Sequence, residues 1–375
     1  MTTRLVLVGL GHAHLFVLEA AARGRLNGVD LTVVTGDAAH VYSGMVPGWI
    51  RDRYTRNDLS LDVPALCAWA GARHVAQHAV GLDEAARQVR LANGESCAFE
   101  WCSVAVGSRP AGLQQVPGAA QHALPLKPLA NVAQLRDRLD ALAARGSGSV
   151  TVVGGGLAGL EVAFAMRTRL DARLGSARSR DVSVAILTRD TTLLPDRPAL
   201  AARVQRALVR RGITCRVDVM IDAVHADHLQ LGRAADVSSD LTVWATGAEP
   251  PAWLRESGLP TDARGFLLVD EHLRTGATHV FAAGDCATPR VRPDTAKAGV
   301  YAVRMGPVLA RTLAATVAGR RLPAPYTPQR HFLTLIDTGD GRAIAHRAGW
   351  TAEGRWVMTW KDHLDRRFVR RFQSR

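Results

Sequence analysis

Three stretches of the sequence carry residue types suited to holding an anionic, flexible ligand. Gly9-Leu10-Gly11-His12-Ala13-His14 lies between a β-branched apolar run, Arg4–Val8, and a helical stretch, Leu15–Arg23. Gly154-Gly155-Gly156-Leu157-Ala158-Gly159 lies in the same way between Ser149–Val153 and Leu160–Arg169. A glycine turn between a buried strand and a helix lets backbone amides and the positive helix end approach a pyrophosphate. The second copy has glycine at 154, 156 and 159. The first has Gly9 and Gly11 but His14 in the third place, so its helix is expected to sit further from its strand. The third stretch is a strand ending in Gly284-Asp285, whose carboxylate can accept a hydrogen bond from a polyol chain.

These residues need elements to position them. Short β-branched runs beside glycine turns read as buried parallel strands. Ser103–Pro110 (SVAVGSRP) and Leu241–Pro250 (LTVWATGAEP) are matching strand–Gly-x-x-Pro crossovers that bring Gly107, Arg109 and Gly247 to the ligands. The order is cradle, crossover, cradle, crossover, Gly-Asp. It predicts an α/β fold with two Rossmann-like dinucleotide-binding domains and a small C-terminal segment. The expected divisions are 1–118 with 252–325, 119–251, and 326–375.

Composition narrows the partners. The 375 residues suffice for two or three domains, and a 47% apolar fraction is ordinary for a globular chain. The net charge is +13, and all basic residues but Lys127, Lys297 and Lys361 are arginine. No zinc-finger, aromatic-basic or basic-helix pattern accompanies the charge, so nucleic acid is not expected. No metal site is expected either. Five scattered cysteines (67, 97, 102, 215 and 286) fit a reducing compartment rather than a disulfide framework. No signal peptide and no apolar run near the roughly 20 residues of a membrane span are present. The expected location is the cytoplasm, either free or peripheral on the inner membrane face. The oligomeric state stays open.

The motif order resembles the pyridine nucleotide-disulfide oxidoreductase superfamily over most of the chain. "GHAH", "YSGMVPGWI", "TAKAGVYAVRMGPVLA" and "FLTLIDTGDGRAIAHRAG...GRWVMTWKDHLDRRFVRRF" resemble one subgroup more closely. That subgroup is the NADH-dehydrogenase-like flavoprotein found fused ahead of selenophosphate synthetase, here standing alone. Its wider relatives are type II NADH dehydrogenases and sulfide:quinone reductases. The resemblance implies FAD in the first cradle and NAD(P)H in the second. It assigns Gly9, Gly11, His12 and His14 to the FAD pyrophosphate turn, and Gly284 and Asp285 to the ribityl chain. Gly154, Gly156 and Gly159 fall to the nicotinamide nucleotide, with Glu161 near its ring.

In disulfide reductases the segment after the second strand carries a redox-active cysteine pair. Tyr42–Trp49 has none here. It reads as a loop packed on the flavin through Ser43, Gly44 and Met45, with Gly44 and Gly48 allowing close approach and Pro47 stiffening it. Cys97 and Cys102 have the spacing of a redox pair but lie in a hairpin leading to a strand, so they read as structural. The carboxylates that usually end the second strand of each cradle are missing. Thr35-Gly36-Asp37 leaves Asp37 as a substitute; in Thr188-Arg189-Asp190, Arg189 is either a partner for a 2′-phosphate, an effect that Asp190 blunts, or a solvated turn arginine. In Thr295–Tyr301, the resemblance sets a helix start, with Lys297, against the flavin pyrimidine. Pro47 and Lys297 are therefore the residues expected at the reacting centre.

In the tail, Trp356, Trp360, Leu364, Phe368 and Phe372 recur every fourth residue as one helical stripe. Seven basic residues (Arg355, Lys361, Arg366, Arg367, Arg370, Arg371 and Arg375) face two acidic ones there. The helix either docks on its own domain or lies at a membrane interface. The function expected is hydride transfer from NAD(P)H to flavin and on to a quinone. Two alternatives are redox chemistry on a sulfur or selenium compound and a flavin-binding redox sensor.

Overall fold

The computed structural model describes residues 2–128, 130–175, 177–232 and 234–373. The elements that position the site are, in chain order, β1 (Thr3–Val8), α1 (His12–Ala22), β2 (Val29–Val34), α2 (Val46–Ile50), β3 (Arg73–Val75) and β4 (Trp101–Val104). Then come β5 (Ala123–Pro125), α3 (Ala130–Arg145), β6 (Gly148–Val153), α4 (Leu157–Leu174), β7 (Val182–Leu187), β8 (Ile213–Arg216) and β9 (Leu241–Trp244). The last are β10 (Val280–Ala282), α5 (Gly299–Val317), β11 (Thr334–Asp337), β12 (Ala343–Arg347), β13 (Trp350–Gly354) and α6 (Arg355–Gln373).

The chain builds one design twice. One parallel sheet runs β10-β4-β1-β2-β3 and the other β5-β9-β6-β7-β8. In each, the glycine turn leaves the carboxyl end of the central strand, where strand order reverses and ligands of such sheets bind. Leu5–Val8 and Val150–Val153 are buried because helices cover both faces. The two crossovers pair with each other: Arg109–Pro110 runs antiparallel to Ala248–Glu249, in register Arg109↔Glu249.

Both cradle helices start earlier than the sequence suggested, at His12 and Leu157, directly after the turns. Tyr42–Trp49 is not a loop. A 3-10 turn, Ser43–Met45, runs into α2. Pro47 is buried in the first turn of α2, where its fixed φ suits a helix start. There it packs the helix.

The C-terminal segment is an antiparallel sheet, β11-β12-β13, followed by α6. The helix docks on its own chain, against β12 and the 56–62 region. Its buried face is Val357, Met358, Lys361, Asp365, Val369 and Phe372. The fourth-residue aromatic stripe was therefore rotated by about one position from the true inner face, because a buried ion pair occupies its middle. Trp356 is 56% exposed. Arg375 lies outside the described residues. Among the described residues, no helix is long and apolar enough to cross a membrane.

Candidate active site

The first cradle closes tightly on its neighbours. Gly9 has φ +76°, and a Cβ there would meet the Ala105 carbonyl at 2.8 Å; one on Gly11 would meet the same oxygen at 2.5 Å. Only glycine fits either position. Gly9 N–H donates to Val34 O (2.8 Å) and Gly11 N–H to Ala105 O (3.0 Å). His14 does not face a phosphate with its ring. The imidazole is fully buried under the turn, Nδ1 at 2.6 Å from Gly9 O and Nε2 at 2.8 Å from Ser103 Oγ. Burial pushes its pKa down to about 4.

Residues far apart in sequence meet beside this turn. Asp285 sits in a 3-10 turn after Gly284 and accepts a hydrogen bond from Ser108 Oγ at 3.3 Å. Lys127 Nζ lies 3.8 Å from the same carboxylate oxygen. Ser108 is flanked by Gly107, at φ +71°, and by Arg109 of the crossover pair. Gly247 O accepts from Ala111 N in the same link. At the end of β2, Thr35 is buried and its carbonyl meets His74 Nε2 at 3.1 Å, while Asp37 is exposed. The turn amides, the glycines that admit no Cβ and the Asp285 carboxylate fit the pyrophosphate and polyol of FAD.

In the second cradle a Cβ on Gly154 would run into Ala245 O, and one on Gly159 into Gly154 O. Nothing lies within 4 Å of the Cβ direction of Gly156, which caps α4. That leaves the amides of the α4 N-terminus open to a dinucleotide phosphate. At the end of β7, Thr188 is buried and packs on Gly155, and Arg189 is exposed.

Gly44 and Gly48 do approach flat groups, but these belong to the chain. A Cβ on Gly44 would meet the Tyr42 ring at 2.9 Å, and one on Gly48 would run into the Tyr54 ring. The end of α2 is gripped from the second unit. Arg136 donates to Trp49 O at 2.6 Å, and Arg169, only 3% exposed, to Ile50 O at 2.9 Å. Asp52 pairs with Arg136, Arg169 and Arg173.

Beside the Ser43–Met45 turn, Glu161 meets two partners that the sequence did not reveal, Lys361 and Asp365. Lys361 Nζ donates to Gly44 O (3.0 Å) and Asp365 Oδ2 (2.9 Å), and stands 3.7 Å from Glu161 Oε1. Tyr42 O–H donates to Asp365 at 3.2 Å, and Asp337 N–H to Glu161 at 3.0 Å. Burial raises the Glu161 carboxyl to about 7, against the pull of Lys361. Burial also raises Asp365, with Lys361 opposing. Burial alone would lower Lys361, but the two carboxylates outweigh it and hold it charged. Two carboxylates around one ammonium leave the cluster with a net negative charge, which together with burial favours keeping one carboxyl protonated. One signal for it existed: Lys361 is one of three lysines in an arginine-rich chain, with Asp365 one helical turn on.

Lys297 is placed otherwise than expected. Its ammonium donates to Ala287 O (2.6 Å) and Thr288 Oγ1 (2.8 Å) and lies 4.0 Å over the Phe266 ring. Burial lowers it to about 8. These partners take two of its three donors, so it braces the 287–289 strand. Cys97 and Cys102 are buried on separate strands, with both thiols raised by burial. Cys286 is buried behind Asp285 at about 11. Phe368 of α6 stacks on Tyr42 (4.6 Å) and His12 (5.7 Å), closing the tail helix over the site.

Residues 3–305 match the family model described as pyridine nucleotide-disulphide oxidoreductase. An NADH dehydrogenase-like protein of Mycobacterium tuberculosis is 27% identical, the match covering 98% of this chain and 94% of that protein. The sulfide:quinone oxidoreductase of Aquifex aeolicus superposes with a TM-score of 0.84 at 16% identity, covering 99% of this chain and 92% of that one. NDH2 of Plasmodium falciparum, in complex with NADH, superposes with a TM-score of 0.83 at 13% identity, covering 99% and 98%.

Proposed function

Because the chain belongs to the pyridine nucleotide-disulphide oxidoreductase family, we propose that this FAD- and NAD(P)H-dependent oxidoreductase delivers its electrons to a quinone. Held by the Gly9–Gly11 turn and Asp285, FAD would supply the redox chemistry between nicotinamide and acceptor. We assign 1–118 with 252–325 to FAD, 119–251 to the nucleotide, and 326–375 to closing the site.

One observation carries the quinone reading: the buried carboxyls of Glu161 and Asp365 converge on Lys361 beside the Ser43–Met45 turn, and burial pushes Glu161 up to about 7. Reducing a quinone to a quinol takes up two protons, and a buried carboxyl near pKa 7 is matched to donating one. Thiol chemistry has no comparable provision. Among the described residues, Cys67, Cys97, Cys102 and Cys286 are buried, Cys215 is half-buried, and burial raises the pKa of each thiol. Trp350 and Trp356, exposed with Trp360 stacked on Trp356, give the tail an aromatic face for a bilayer that holds the quinone.

Anaerobic titration tests the reading. NADH or NADPH should bleach the yellow protein within seconds, and a short-chain quinone should restore the colour. Failure of several quinones to restore it would remove this acceptor. Bleaching by sulfide or selenide without nucleotide would install the sulfur or selenium reading. A protein that no donor bleaches would be a redox sensor.

A further inference from the structure

The two cradles differ at the third fingerprint position, His14 against Gly159, and the structure shows what that difference does. In the second, the bare Cα of Gly159 lies against the carbonyl of Gly154, so closely that a Cβ would collide with it. In the first, the equivalent carbonyl, Gly9 O, is met instead by His14 Nδ1 at 2.6 Å. The next carbonyl, Leu10 O, is met by a second buried histidine, His40, through Nδ1 at 2.6 Å.

Chemistry fixes the tautomers. A carbonyl oxygen only accepts, so Nδ1 of each ring carries the proton. For His14 the second nitrogen agrees, since Ser103 O–H can donate to Nε2 at 2.8 Å. Burial holds both rings near pKa 4, so each is neutral at pH 7.

The consequence follows from peptide planarity. The C=O and N–H of a trans peptide point in opposite directions. Gly9 O held inward by His14 therefore turns the Leu10 N–H outward, and this amide has no backbone partner among the described residues. The first-turn amides of α1, at His12 and Ala13, point the same way without helical partners. Carbonyl oxygens that would repel phosphate are each tied to an imidazole.

We propose that His14 and His40 are positioning residues for the diphosphate of FAD: His14 holds Gly9 O inward so that the Leu10 amide faces the anion, and His40 holds Leu10 O, whose peptide gives its Gly11 N–H to Ala105 O, away from it. This rests on FAD occupying the first cradle. His14 replaces the usual third glycine by a hydrogen bond rather than by the absence of a side chain.

The test compares variants that keep or lose the Nδ1 donor. Asn places an amide N–H near the position of Nδ1, and Leu fills the space without a donor. FAD dissociation constants and the 31P resonances of the bound diphosphate are measured on His14→Asn, His14→Leu, His40→Asn and His40→Leu, with thermal midpoints checking the fold. Each Leu variant should bind FAD at least tenfold more weakly with displaced 31P resonances, and each Asn variant within about threefold of wild type. Ser103→Ala, a smaller change that frees the His14 tautomer, should weaken FAD about threefold and shift the resonances if the Leu variants do not fold. Folded Leu variants with wild-type affinity and resonances would overturn the proposal, as would equal losses for Asn and Leu, which would mean that shape alone matters. A wild type that takes up no FAD would instead overturn the cofactor reading beneath it.

Discussion

The Lys361 ammonium lies 3.7 Å from the Glu161 carboxylate, tying α4, the helix of the second cradle, to α6. Both ends of the tie are largely buried, and Asp365, 2.9 Å from the same ammonium, completes it. Lys361→Met would leave two carboxylates in the interior with no cation. Urea unfolding of the holoprotein should show a loss of about 3–5 kcal/mol. Adding Asp365→Asn should restore part of it, so that the double variant is more stable than the single. A double variant as unstable as the sum of the singles would mean that the groups do not interact.

Glu161 sets a pH dependence whose sign is fixed. Its carboxyl, raised to about 7 from the usual 4.5, is protonated below neutrality and gives up its proton as pH rises through 7. Quinone turnover should therefore fall on the alkaline side with an apparent pKa near 7. Glu161→Gln should remove that limb and slow turnover roughly 10²–10⁴-fold, while flavin bleaching by the nucleotide stays within a few-fold. An unchanged alkaline limb in the Gln variant would assign the titration to another group.

Arg189 stands exposed where a carboxylate would otherwise select a free ribose. Wild type should use NADPH at least as well as NADH. Arg189→Ala should lower NADPH efficiency by about 10-fold or more, as expected for loss of a charge-assisted contact, and leave NADH nearly unchanged. Equal losses for both nucleotides in stopped-flow bleaching would show that the arginine does not read the 2′-phosphate.

The exposed pair Trp350 and Trp356 should bind bilayers. Wild type should cosediment with anionic vesicles better than with neutral ones, and less at high salt. Trp350→Gln with Trp356→Gln should reduce binding and slow a long-chain quinone more than a short one. Arginines of the same helix are poorer probes. Arg371 pairs with buried Glu19 at 2.6 Å and Arg366 with Asp362, so replacing them would disturb the fold. Identical sedimentation of the double variant and wild type would leave the tail as a purely internal strap.

The cradles, the crossovers and Gly284-Asp285 were legible because each depends on local backbone geometry that only glycine or a turn residue satisfies. The site beside them was not. Lys361 and Asp365 sit on the inner face of α6, and a search for apolar periodicity passes over a buried face made of charges. It followed the aromatic residues instead and turned the helix by one position. Lys297 and Pro47 were placed by analogy with their position in the chain. Ala287 O, Thr288 and Phe266 claim the lysine, and α2 claims the proline, through contacts no motif encodes. His14 read as a defective glycine because its value lies in a hydrogen bond to a carbonyl five residues earlier.

The docking of α6 also imposes an order on assembly. A ribosome releases His12, Tyr42 and Glu161 long before Phe368 and Lys361, so the nascent chain shows its first cradle without the ring that will stack on it and Glu161 without the cation that will face it. Both sheets can form during translation, but the proton-holding pocket closes only when the final helix emerges and folds back. A nascent chain halted before residue 361 would carry both glycine turns and still expose Glu161 to water, with its carboxyl back in the ordinary range and no means of keeping a proton at pH 7.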